Sequence, residues 1–135
     1  MLYAIFAYHI EQDITDLTPA QDAALMAGMH KVHGRLTEEG KLGPAARLGP
    51  TAKAVTVRGG VAVDGPFAET KEALLGFYML DCASEAEAVQ AAKDLQAANP
   101  YAVYEVRPIR LYLPGVAFPA TEASSADDAD RDQDS

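Results

Sequence analysis

Residue types able to do chemistry gather in two places along the chain. The stretch 64–72, "DGPFAETKE", sets Asp64, Glu69, Lys71 and Glu72 within nine positions, with Phe67 and Thr70 between them. The three histidines, His9, His30 and His33, lie upstream. An imidazole titrates near neutrality and can take and return a proton, a carboxylate can orient it, and a lysine can stabilise developing negative charge. His30 as the proton carrier, with Asp64 or Glu69 as its orienting partner and Lys71 beside them, is therefore the catalytic set the composition suggests. His33, Phe67 and Tyr101 are added as candidate ligand contacts. Asp-Gly-Pro alone would turn the chain, since Asp bonds its own downstream backbone, Gly relaxes sterics and Pro fixes φ. The side chains that follow are more than a turn requires.

Other chemistries find less support. His30 and His33 could clamp a metal between them, but no cysteine or carboxylate constellation completes such a site, so no metal is expected. The chain has no Walker loop, nucleophile elbow or dinucleotide glycine fingerprint, and no cofactor is expected. Cys82, the single cysteine, ends an apolar strand with no base beside it and reads as a packed thiol.

The elements that must position these groups follow from pattern. "LYAIFAYHI" is a strand, and a helix begins after Thr18, an N-cap, with Pro19 in its first turn. Leu25, Met29, Val32 and Leu36 form one apolar face, and Gly40 ends the helix. At about 100° per residue, His33 sits roughly 80° from Leu25, at the stripe's edge, and His30 roughly 140° away. "LGPAARLGP" reads as a short interrupted strand. "AKAVTVRGGVAVDG" reads as a hairpin turning at Gly59-Gly60, because glycine tolerates the positive φ of tight turns. "GFYMLDC" is a strand, "SEAEAVQAAKDLQAANP" a helix with Ser84 and Glu87 at capping-box spacing, and "AVYEVRPIRLYL" a closing strand.

The order β-α-β-β-α-β predicts an α+β, ferredoxin-like fold: an antiparallel sheet with two helices on one face. Strand one carries Tyr3, Ile5 and Ala7 on one face and Leu2, Ala4, Phe6 and Tyr8 on the other. Both faces are apolar, so the face away from the helices needs a cover, and a second copy of the sheet is the simplest one. A homodimer is expected.

Length and charge bound the rest. A chain of 135 residues makes one domain, here 1–115, followed by an acidic stretch at 116–135 with six acids and one base. That stretch carries −5 of the net −9 and its Ser, Ala and Asp composition predicts disorder. An acidic body argues against nucleic acid, and its strand aromatics lack the basic signature of RNA-recognition modules. No run approaches the ~20 apolar residues of a membrane span. No basic residue precedes Leu2–Tyr8, so no secretory signal is expected, and one cysteine suits a reducing cytoplasm.

"DGPFAETKE" followed by "LLGFYMLD" resembles the signature of the YCII-related (DGPF-domain) family, and "AVTVRGGVAV", "EEGKL" and "YEVRPI" extend the similarity over about residues 2–110. The loop's composition and the analogy of fold suggest a small-molecule cleft between each sheet and the DGPF loop, with acid–base chemistry such as isomerisation or lactone opening. The resemblance implies a bacterial protein pairing as a dimeric α/β barrel. The alternative it implies is a non-enzymatic regulatory module, as some members are linked to extracytoplasmic-function sigma factors. One branch of similar proteins pairs a helical histidine with the aspartate of an Asp-Pro-Tyr segment. Here that segment is "NPY", with Asn99 in the aspartate's place.

Overall fold

A computed structural model describes residues 1–118. The acidic stretch expected to be disordered lies, from residue 119 onward, outside the described residues.

Strand β1 (Leu2–His9) is followed by helices α1 (Glu11–Thr15) and α2 (Pro19–Glu38), then strand β2 (Leu42–Arg47). A single 3-10 turn (Thr51–Lys53) leads into β3 (Val55–Arg58) and β4 (Val61–Asp64). Strand β5 (Ala73–Asp81), helix α3 (Glu85–Ala98) and strand β6 (Ala102–Pro108) complete the fold. The main sheet has the order β2-β5-β1-β6, with every neighbouring pair antiparallel, while β3 and β4 form a separate hairpin. The α+β class with an antiparallel sheet is as expected.

Local chemistry explains the element ends. At the start of α2, the Thr18 hydroxyl accepts from Gln21 N at 3.1 Å and the Gln21 side chain accepts from Thr18 N at 2.9 Å, a reciprocal capping box. At its end Gly40 takes φ +71°, so Gly40 N and Lys41 N bond back to the carbonyls of Thr37 and Leu36. This is the Schellman arrangement, which needs a residue at ease in the left-handed region. In α3 the Ser84 hydroxyl accepts from Glu87 N, but Glu87 returns its bond to Ala83 N rather than to the cap residue. The same carboxylate pairs with Lys41, which also meets Glu39 and so ties β2 to α3.

Strand alternation puts Tyr3 and Ile5 of β1 and Leu80 of β5 on the helix side, where Met29 and Leu36 of α2 and Ala88, Ala91 and Leu95 of α3 close the core. Cys82 is buried in that core, and burial raises its thiol pKa above the ordinary value, which keeps it protonated. On the opposite face Ala4, Phe6, Tyr8, Phe77 and Met79 are only half-buried. The Arg107 guanidinium lies 5.7 Å from the Phe6 ring centroid on that face.

Two expectations are corrected. Helix α1 was not foreseen between β1 and α2. Strand β6 stops at Pro108 rather than running through Leu113, because its only neighbour, β1, begins at Leu2 and leaves nothing to pair with beyond it.

Candidate functional site

Small residues in one sheet row open a hollow beneath α2. Reading across the strands, Tyr104 of β6 pairs with Ala7 of β1, Ala7 with Gly76 of β5, and Gly76 with Arg47 of β2. A methyl group or nothing thus stands at the centre of the row, between a tyrosine at one end and an arginine at the other. Gly76 also has a packing reason: a Cβ there would lie 3.0 Å from the Ala46 carbonyl oxygen. A register shift beyond Ala7 leaves Leu75 as an extra residue on β5, and bulges of this kind re-aim side chains beside sites. The resulting cavity, about 300 Å³, is roofed by Leu25, Met26 and Met29 of α2 and flanked by Ile14 of α1.

Two histidines line this cavity. His33, half-buried at the edge of the α2 stripe as the wheel predicts, sets Nε2 2.8 Å from the Tyr78 hydroxyl. Desolvation, and then the nearby His30 ring, lower the His33 pKa below 6.5, so it is largely neutral at neutral pH. Desolvation, followed by the charge field of Tyr104, raises the Tyr78 pKa and holds its proton in place. With Nε2–H donated to the Tyr78 oxygen, the imidazole keeps Nδ1 as its basic nitrogen and the phenol proton is left to donate elsewhere.

His9 closes the other end. Asn99 caps α3, and the tight Asn99–Ala102 turn brings its amide under β1, with Nδ2 3.0 Å from His9 Nε2 and 3.4 Å from the Tyr104 hydroxyl. His9 and Asn99 are 8% and 6% exposed, yet His9 Nδ1 and Asn99 Oδ1 have no hydrogen-bond partner among the described residues. Turning the amide over exchanges the roles and still strands one ring nitrogen and one amide atom. An unmet buried polar atom costs about 1–3 kcal/mol, an expense that structure alone gives no reason to carry. Burial, with the Arg47 charge second, lowers the His9 pKa.

The remaining sequence candidates sit elsewhere. His30 is exposed one helical step from His33, with ring centroids 6.1 Å apart, and does not line the cavity. Asp64 ends β4, and Phe67, Glu69 and Lys71 follow on an exposed loop, Phe67 being 78% exposed. That loop is held by its backbone: Gly65, at φ +105°, donates to the Ala54 carbonyl at 2.7 Å and accepts from the Thr56 hydroxyl at 2.8 Å. Tyr101, inside the Asn99–Ala102 turn, is exposed and also lies off the cavity wall. Of the candidates, the structure brings His33 to the cavity and leaves the others outside it.

Sequence reasoning missed Tyr78, Tyr104, Arg47 and Asn99 as a group. Tyr78 was legible in part: it is in phase with Leu80, which points its hydroxyl under a helix.

No helix among the described residues is long and apolar enough to cross a membrane, and no group of three or more His, Cys, Asp or Glu side chains among them could hold a metal ion.

An antiparallel sheet layered with helices over a polar-tipped apolar hollow defines a small α+β protein with a concave candidate site. The model of the YCII-related domain matches residues 1–112, and the chain belongs to that family. An uncharacterised protein of Rhizobium meliloti (strain 1021) is 48% identical over 120 residues, which cover 85% of this chain and 97% of that protein.

Proposed function

We propose that the protein binds a small organic molecule in the cavity under α2 and performs acid–base chemistry on it, with His33 moving the proton and Tyr78 donating a hydrogen bond. The single observation that carries this reading is an imidazole 2.8 Å from a phenol inside a mostly apolar hollow, where burial favours the neutral form of each. A base need not be charged to act, and one already unprotonated at neutral pH is ready to abstract a proton. Isomerisation and lactone opening are reactions such a pair suits. A pocket of this size, apolar with few convergent polar groups, is the ordinary form of a small-molecule site.

The working unit is a homodimer. Phe6, Tyr8, Phe77 and Met79 on the open sheet face, and the exposed Val55, Val57, Val61 and Val63 of the hairpin, form apolar surface that a second sheet would cover.

A second arrangement uses His30 as the base, with Asp64 or Glu69 orienting it and Lys71 nearby. Its support is the proximity of His30 to His33. An amide-resolved NMR screen with a small-fragment library separates the two. Shifts gathered on Ala7, Met29, His33 and Gly76 are expected. Shifts gathered on residues 64–72 and His30 would favour the second arrangement, and no shift at either place would defeat both.

A further inference from the structure

The cavity wall specifies more than "small and organic". Arg47 stands at its mouth on the sheet's edge strand. Its one recorded polar contact is a loose approach to Met26 Sδ at 3.9 Å, and among the described residues no carboxylate comes within ion-pair distance. Other bases among the described residues also lack an ion pair, and what distinguishes Arg47 is its place as the one lysine or arginine on the cavity wall. Asp22, in the first turn of α2, is the other Asp, Glu, Lys or Arg on the wall, and it forms no ion pair with Arg47. At the far end, with His9 two strand spacings of roughly 4.8 Å from Arg47's strand, the nine-tenths-buried His9 and Asn99 keep polar atoms with no partner among the described residues.

We propose that the cavity takes a small, singly charged carboxylate bearing a second polar group, a hydroxyl or oxo oxygen, with the carboxylate on Arg47 and the oxygen toward His9 and Asn99. This rests on the cavity being the binding site. A planar guanidinium fits a carboxylate through two parallel hydrogen bonds, which a point charge does not. One guanidinium can pair with one carboxylate, and the negative Asp22 on the same wall disfavours a phosphate dianion more than a monoanion. The apolar span between the ends, over Ala7 and Gly76 and under Leu25 and Met29, fits a short hydrocarbon or aromatic body. His33 and Tyr78 then face the middle of that body, where a proton would be moved.

The test is an NMR titration of the full chain with para-hydroxybenzoate and its uncharged analogue, para-hydroxybenzamide. Both probes should shift Ala7, Gly76 and His33, with the acid at least about tenfold tighter, a ratio that corresponds to one hydrogen-bonded ion pair. Arg47→Gln should bring the acid down to the level of the amide and leave the amide unchanged, while Arg47→Lys should keep part of the preference. The amide spectrum of each variant shows whether it is folded. Equal affinity for the two probes, or a preference that survives Arg47→Gln, would overturn the carboxylate assignment and leave the cavity standing as a binding site. Entry of neither probe, or shifts confined to another surface, would overturn both.

Discussion

The hairpin with its loop (residues 55–72) and the hollow under α2 are opposite kinds of structure. The loop is contiguous, polar and dense with titratable side chains, yet Gly65 ties it down through its own backbone N–H and carbonyl, and its titratable side chains are exposed. The hollow draws residues from β1, α1, α2, β2, β5, β6 and the end of α3, and two pairs of its polar side chains, His33 with Tyr78 and His9 with Asn99, bond to each other. Dense chemistry in sequence and converging chemistry in space are different properties. A site needs the second, because a proton moves only between atoms about 3 Å apart or bridged by one water.

Mutations can break this contrast or sharpen it. The largest effect belongs to the core that holds the hollow's walls in place. Leu95 is fully buried between α3 and the sheet, and Leu95→Ala should cost about 2–5 kcal/mol in urea unfolding. Next comes the loop's backbone: Gly65→Ala forces a Cβ into φ +105° and should cost about 1–3 kcal/mol. Phe67→Ala in the same loop should stay within about 0.5 kcal/mol for the isolated chain, and a larger, concentration-dependent loss would show that a partner covers Phe67. Tyr78→Phe, which removes one hydroxyl and leaves the shape, should cost about 0.5–1.5 kcal/mol and cut any turnover far more than its stability.

The hollow also predicts a pH dependence that the loop does not. His9 and His33 both have folded-state pKa values below 6.5, so between those values and 6.5 the unfolded chain binds more protons. The stability they contribute is complete above 6.5 and is lost as pH falls through the lowered values. Arg47→Gln, which removes the positive charge near His9, should narrow that window by raising the His9 pKa.

Much of the fold could be read from residues in order. The Thr18 cap, the Leu25–Leu36 stripe, Gly40, the Gly59-Gly60 turn and the two-faced β1 are local patterns, and each appears where its pattern lies. Even the position of His33 at the stripe's edge follows from helical geometry. The site as a whole was not legible, because its members are joined by register. Arg47, Gly76, Ala7 and Tyr104 form a row only once β2, β5, β1 and β6 are aligned, and nothing in "LGPAARLGP" announces that its arginine ends at a cavity mouth. Asn99 was noticed as a replacement for an acid, but its partner proved to be His9 on β1 rather than a histidine of α2.

The most direct test of the account is a histidine-resolved NMR titration of the wild-type chain beside Asp64→Ala, Glu69→Ala and Tyr78→Phe. With the hollow as the centre, His9 and His33 titrate below 6.5, both loop variants leave them unmoved, and Tyr78→Phe changes His33 alone. A His33 titration that shifts when a loop carboxylate is removed and ignores Tyr78→Phe would contradict it and return the chemistry to "DGPFAETKE".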